Sequence, residues 1–265
     1  MIDPGVRRTI IASIVDVEKS EKVRVLYACE SGSRAWGFPS CDSDYDVRFI
    51  YIRPREWYLS IDFEIRRDVI ERPPADGIDL SGWDIRKALR LFHKSNPPLL
   101  EWMNSPVVYA DTLGFAAGMR AILPEYYAPE TCMYHYLHMA EGNYREYLNG
   151  GTVWVKKYFY VLRPLLAVRW IEAGKGPVPT EFAALVAGAV DETEVKKEIL
   201  RLLQRKRDGD ELDRGPCIPP LDVFIANELA RIRKACFPGK HGAPQDGMET
   251  LNALFLQTLE SAWGK

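Results

Sequence analysis

The sequence predicts an α+β protein, with strands and helices mixed in the first half and helices alone in the second. Two apolar, β-branched runs, residues 23–29 (VRVLYAC) and 45–52 (YDVRFIYI), predict buried strands of one small sheet. After about residue 110 such runs give way to apolar stripes at helical spacing. The 265 residues, 47% of them hydrophobic, suffice for one large or two modest cores. We read two domains, 1–110 and 111–265, with the boundary inside 105–126.

The elements follow in order. Residues 4–19 predict a helix, with Val6, Ile10, Ile14 and Val17 as its stripe and Pro4 suited to the first turn. The strand 23–29 leads into 31–41, a Gly, Ser and Pro-rich loop with room for one short helical turn. Strand 45–52 is closed by Pro54; residues 63–70 and 77–81 read as a third and a short fourth strand. Residues 84–94 (DIRKALRLFHK) form an amphipathic helix with Asp84 at its N-cap, and Lys87 and Arg90 on its exposed face. Asn96 before Pro97 reads as a turn. Helices are then expected over 131–148, 152–173, 180–185, 192–207, 221–236 and 248–263, separated by the loops LPEYYAPE, GKGPVPT and DRGPCIPP.

Composition narrows the function. A net charge of -2 excludes a uniformly basic nucleic-acid coat while leaving room for a local basic groove. Five widely spaced cysteines with no CxxC pair argue against a disulfide framework and against structural zinc; Cys29 and Cys41 read as reduced, buried thiols. His135 and His138 read as packing or surface residues. No stretch approaches the roughly 20 apolar residues of a membrane span, and the N-terminus has no secretory h-region. A cytoplasmic protein without membrane partners is expected; nothing marks an oligomeric state.

The chemistry is concentrated in residues 28–52, ACESGSRAWGFPSCDSDYDVRFIYI. Residues i and i+2 of a strand share a face, so Asp44 and Asp46 are expected to project together, with Tyr45 and Val47 on the apolar side. Paired carboxylates repel unless a cation separates them, and their hard oxygens suit Mg²⁺ shared with substrate phosphates. Arg48 shares the face and pairs with an aspartate or reaches a phosphate. Asp79 is the expected third carboxylate of a two-metal site, with Asp84, the better helix cap, as its competitor. Asp42 competes with Asp44 but reads as a loop residue. Gly32 lets backbone approach a ligand, Ser33 offers a hydroxyl and an N–H to a phosphate, and Arg34 adds charge. A lone Gly-Ser is usually a turn and a lone D-x-D usually solvated. It is their order, strand, Gly-Ser loop, acidic strand, later acidic strand, that points to nucleotide chemistry.

The order of Gly32-Ser33 and then Asp44-Tyr45-Asp46-Val47 resembles the DNA polymerase beta-like nucleotidyltransferase superfamily. The wider text GSRAWGFPSCDSDYDVRFIY, the downstream IDLSGWDIRKALRLFHKSNPPLLEWMNSPVVY and residues 156–171 resemble its RNA-repair-associated, RlaP-like branch. The resemblance implies a small twisted mixed sheet with helices, the nucleotidyltransferase fold, followed by a helical domain closing the nucleotide cleft. It implies transfer of a nucleoside monophosphate from an NTP with release of pyrophosphate. Asp44 and Asp46 would ligate the metals gripping the triphosphate. Asp79 would bind the metal that activates the acceptor hydroxyl. Gly32 and Ser33 would hold the β- and γ-phosphates. Two Mg²⁺ ions are implied, with Mn²⁺ as the alternative, and the NTP as co-substrate.

In the helical half Lys156, Tyr160 and Arg163 fall at i, i+4 and i+7 and are expected on one helix face, suited to phosphates or a stacked base. The expected function is a metal-dependent nucleotidyltransferase acting on an RNA 3′ end in RNA repair. Alternatives are a protein side chain or small molecule as acceptor, or a nucleotide- or RNA-binding module without catalysis.

Overall fold

A computed structural model describes residues 2–40, 43–210, 212–235 and 247–264; Cys41 and Asp42, flagged above, lie outside the described residues. In chain order the elements are α1 (Pro4–Glu21), β1 (Arg24–Glu30), α2 (Gly32–Ala35), β2 (Tyr45–Ile52), α3 (Arg55–Tyr58), β3 (Val69–Ala75), β4 (Ile78–Asp84), α4 (Ile85–His93), α5 (Pro97–Met103) and β5 (Val108–Asp111). There follow α6 (Phe115–Tyr126), α7 (Pro129–Tyr147), β6 (Thr152–Trp154), α8 (Lys157–Glu172), α9 (Phe182–Ala189), α10 (Thr193–Arg207), β7 (Arg214–Pro216), α11 (Pro219–Lys234) and α12 (Met248–Trp263). The class is α+β, as the sequence predicts: a mixed sheet with helices, then a helical region.

The chain forms two compact units that exchange segments: Met1–Gly32, Asp44–Tyr127 and Gly242–Lys265 in the first, Ser33–Ser43 and Ala128–His241 in the second. The sequence reading places one boundary at residue 110; here the loop after Gly32 belongs with the helices, and α12 belongs with the sheet.

The first unit is built on a five-stranded sheet of order β3-β4-β2-β1-β5. All neighbours are antiparallel except β2 and β4. Odd-numbered positions of β2 explain one face: Val47, Phe49 and Tyr51 bury against Ile10, Ile14 and Val17 of α1. Each such side chain withdrawn from water contributes about 1.5–3 kcal/mol. A Cβ at Gly82 would run into the Phe49 ring, so a glycine lets that ring lie across β4. On α4, Asp84 caps the helix by accepting the Arg86 N–H at 2.9 Å, as the sequence predicts. Trp83 and Trp102 stack at 3.9 Å.

The second unit is organised around α8, which is apolar on nearly all sides, as a central helix must be. The loop 33–43 is pinned to it by aromatic packing: Phe38 stacks on Phe159 at 4.7 Å and meets Phe182 edge-on at 5.4 Å.

Some expectations change. The strand expected over 63–70 begins only at Val69: Phe63–Ile65 is a 3-10 turn, and β3 runs on to Ala75. Pro73 and Pro74 argue against a strand by propensity, yet β3 is an edge strand, where a missing N–H costs no ladder bond. The expected helix 152–173 begins instead as β6, paired with β7. Helices α5 and α6 and strand β5 are not legible as elements in the sequence.

Candidate active site

The site residues of the first unit are set by strand pairing. β2 and β4 run parallel with Asp46 opposite Asp79 and Arg48 opposite Ser81. Opposite residues share a face, so this pairing places two carboxylates side by side on the face away from α1. Arg48 Nη2 lies 2.9 Å from Asp46 Oδ1 and 2.8 Å from Asp79 Oδ2. Its Nη1 donates to the Val47 and Asp79 carbonyls, both at 3.2 Å. The side chains remain reachable, 31% exposed for Asp46 and 37% for Asp79.

Asp44 stands one residue before β2, exposed, so the alternation of the strand does not orient it. The Asp76-Gly77 turn lies beside it instead. Tyr45 N–H donates to the Gly77 carbonyl at 2.7 Å, and a Cβ on Gly77 would lie 3.9 Å from Asp44 Oδ1. Gly32 has a φ of 57°, and a Cβ there would collide with the Asp46 carboxylate. Both its backbone conformation and its closeness to Asp46 demand glycine. Asp84, the competing third carboxylate, is buried; its Oδ2 accepts the Tyr58 hydroxyl at 2.8 Å. Burial holds its carboxyl above the usual range, opposed by hydrogen bonds from the Arg86 N–H and Tyr58.

Sequence reasoning missed Glu30. It is fully buried at the end of β1. Its Oε1 accepts the Asp46 backbone N–H at 2.9 Å and its Oε2 accepts the Tyr109 hydroxyl. The available signal was a carboxylate closing an otherwise apolar strand, where an acidic residue is costly unless hydrogen-bonded.

Do these residues fit a divalent cation? Among the described residues no group of three or more His, Cys, Asp or Glu side chains is placed to hold a metal ion by itself. The donors at Asp46 and Asp79 are hard oxygens, adjacent and half-exposed, and Gly32 keeps bulk away from Asp46. They suit a cation that completes its shell with water and substrate phosphate.

The remaining expected residues lie in the second unit. The Ser33 carbonyl accepts the Phe38 N–H at 3.0 Å. Arg34 Nη2 donates to the Ser43 carbonyl at 2.5 Å, bracing the loop. Lys156, Tyr160 and Arg163 do not form one exposed stripe, because α8 is buried on most sides. Lys156 occupies the N-cap position of α8 without a side-chain capping bond, its ammonium 5.5 Å from the centre of the Trp154 ring. Tyr160 meets Trp36 edge-on at 5.5 Å, beneath the Lys157 ammonium at 4.4 Å. Arg163 is 2% exposed, with Nη2 3.3 Å from the Thr180 carbonyl and its guanidinium 4.9 Å from the centre of the Trp36 ring. Burial, then the charge of Lys156, lowers the pKa of both Lys157 and Lys206.

A mixed sheet carrying adjacent carboxylates on its central strands, with a glycine turn against them, is the arrangement expected of a nucleotidyltransferase-like protein. The chain belongs to the RlaP family, described as the RNA repair pathway DNA polymerase beta family, which matches over residues 6–257. It is 49% identical over 257 residues to the uncharacterized protein YcgL of Bacillus subtilis (strain 168), covering 97% of this chain and 98% of that one. Among solved structures it is similar to a nucleotidyltransferase-like protein from Exiguobacterium sibiricum 255-15, at 9% identity and a TM-score of 0.33, over 95% of this chain and 90% of that one.

Proposed function

We propose that this protein is a metal-dependent nucleotidyltransferase that transfers a nucleoside monophosphate from an NTP to a hydroxyl, the 3′ end of an RNA in a repair reaction. The observation that carries the reading is the pairing of Asp46 with Asp79 on adjacent strands beside Gly32. Family membership supports the transferase class, and the family's description supports RNA as acceptor.

In this reading Asp44 and Asp46 would hold the Mg²⁺ that binds the triphosphate, and Asp79 would serve the acceptor side. The cations would neutralise triphosphate charge and lower the pKa of the attacking hydroxyl. The attacking oxygen bonds to the α-phosphorus, the bond from that phosphorus to the α,β-bridging oxygen breaks, pyrophosphate leaves, and the hydroxyl proton passes to solvent. Gly32 and the Ser33 N–H and hydroxyl are assigned to the β- and γ-phosphates. Arg48 counters the charge of Asp46 and Asp79, and would be within reach of a phosphate once cations did so in its place. Lys156 and Tyr160 are assigned to anionic or aromatic parts of the substrates, while Arg34 and Arg163 hold the 33–43 loop in shape. Positioning and electrostatics supply most of such a rate enhancement.

The test is incubation with Mg²⁺, each α-³²P-labelled NTP in turn and a mixture of RNA and tRNA, resolved on a denaturing gel. Label on RNA that disappears in Asp46→Ala and Asp79→Ala establishes the reading and identifies the base. Label that persists in both variants sinks it.

A further inference from the structure

Two aspartates on neighbouring strands can grip a cation only if the strand ends that carry them are held still. β2 starts at Tyr45, so Asp46 sits in its first turn of ladder, where strands fray. The fixing comes from β1. The Ser31 N–H donates to the Asp46 carbonyl at 2.8 Å, and the Asp46 N–H donates to Glu30 Oε1 at 2.9 Å. Both polar groups of the Asp46 backbone are therefore fixed by the two residues preceding Gly32.

We propose that Glu30 is a positioning residue of the site: its buried carboxylate clamps the Asp46 backbone and so sets where the Asp46 side chain meets a metal-bound nucleotide. The inference rests on the function proposed above.

The clamp is itself anchored. Glu30 Oε2 accepts the hydroxyl of Tyr109, which is 7% exposed on β5. The Tyr109 ring lies under the Arg7 guanidinium at 5.2 Å, and Arg7 Nη2 donates to the Val108 carbonyl at 2.6 Å. The Glu30 backbone is held as firmly: its N–H donates to the Val107 carbonyl at 2.9 Å and its carbonyl accepts the Ser105 hydroxyl at 2.6 Å. Contacts thus run from α1 to β5 through Arg7, and hydrogen bonds run on from Tyr109 through Glu30 to Asp46. Burying a carboxylate to satisfy one hydroxyl at a sheet end would be a costly way to gain stability alone. A carboxylate that also holds the backbone of a metal ligand has a second use. Outer groups that orient metal ligands carry about 10–100-fold in metal affinity.

The arrangement distinguishes the two oxygens of Glu30. A glutamine can present its oxygen to the Asp46 N–H and its amide to the Tyr109 oxygen, so Glu30→Gln keeps the clamp. Glu30→Ala removes it and leaves the Asp46 N–H without this acceptor. Tyr109→Phe keeps the carboxylate but frees one end.

The experiment is a Mn²⁺ titration of the full chain, followed by electron paramagnetic resonance of the unbound ion, on wild type, Glu30→Ala, Glu30→Gln, Tyr109→Phe and Asp46→Asn, with thermal melting in parallel. Glu30→Ala is expected to weaken Mn²⁺ binding about 10-fold and Glu30→Gln no more than about twofold, with Tyr109→Phe between. Glu30→Ala binding like wild type, or Glu30→Gln as weak as Glu30→Ala, overturns the proposal. If Glu30→Ala fails to fold, Tyr109→Phe decides, and wild-type affinity in that variant overturns it. Wild-type affinity in Asp46→Asn would instead sink the metal site itself, whatever Glu30 does.

Discussion

The molecule carries two ionic clusters that look alike on paper and differ in construction. In the second unit Arg169 forks onto both oxygens of Glu228, at 2.9 and 3.0 Å, and onto both oxygens of Glu192, at 3.0 and 2.7 Å. Arg231 forks onto Glu172 at 3.0 and 2.8 Å and also reaches Glu228. Burial pushes the Glu228 carboxyl up, but the two guanidinium groups outweigh it and hold it below the usual range. In the first unit one nitrogen of Arg48 is shared between single oxygens of Asp46 and Asp79, and the other is turned to backbone carbonyls. Paired forks are the strong, specific form of such contacts. The Arg169 cluster is a finished structural tie; at Arg48 an acidic pair is held at arm's length by one shared guanidinium, which fits the cation site proposed there.

The sharpest way to break this comparison is to exchange the expected phenotypes. Asp46→Ala should reduce nucleotidyl transfer about 10³-fold in a gel assay with labelled NTP, leaving the melting temperature nearly unchanged. Glu228→Ala should do the reverse. Chemical denaturation should show a loss of about 3 kcal/mol, because two arginines lose a buried partner, while Mn²⁺ affinity stays at the wild-type value. The Glu228 carboxyl is lowered, so its contribution is present above the unfolded carboxyl pKa and fades as pH falls through the folded value. The denaturation difference between wild type and Glu228→Ala should therefore shrink in acid.

Gly32→Ala sharpens the claim that the glycine turn serves Asp46. A side chain is strained at that φ and collides with the carboxylate, so transfer should fall about 100-fold through misplacement, measured in the same gel assay. Arg48→Gln removes the resident cation, and Mn²⁺ binding without nucleotide should tighten about tenfold in the paramagnetic titration. The smallest effect is at Asp84. Asp84→Ala should cost about 1 kcal/mol for the lost cap, whereas Asp84→Asn keeps the cap without burying charge. The Asp84 carboxyl is raised, so the folded chain takes up its proton more readily than the unfolded chain. Denaturation at a series of pH values should show wild type gaining on Asp84→Asn as pH falls through the folded pKa.

How much of this was legible in the sequence depends on which interactions set each element. β2 and α12 match their expected bounds residue for residue, because their apolar periodicity is local information. Asp84 was legible as a cap because capping is decided within four residues. The pairing of Asp46 with Asp79 is only half local: composition nominates both, but the parallel partnership of β2 and β4 comes from the whole sheet. Glu30 was missed because its partner Tyr109 is 79 residues away in sequence, and its place at the end of an apolar strand was the one local hint. The burial of Arg163 was not legible, because spacing puts it on one face with Lys156 and Tyr160, which stay half-buried while Arg163 is enclosed. β3 escaped because Pro73 and Pro74 are tolerated only at a sheet edge, and edge position is a tertiary fact.

The decisive experiment is Mn²⁺ binding by Asp46→Asn and Glu228→Gln beside wild type, read from the resonance of the unbound ion. Asp46→Asn should lose the site and Glu228→Gln should keep wild-type affinity. Unchanged binding in Asp46→Asn, or a loss in Glu228→Gln alone, would contradict it.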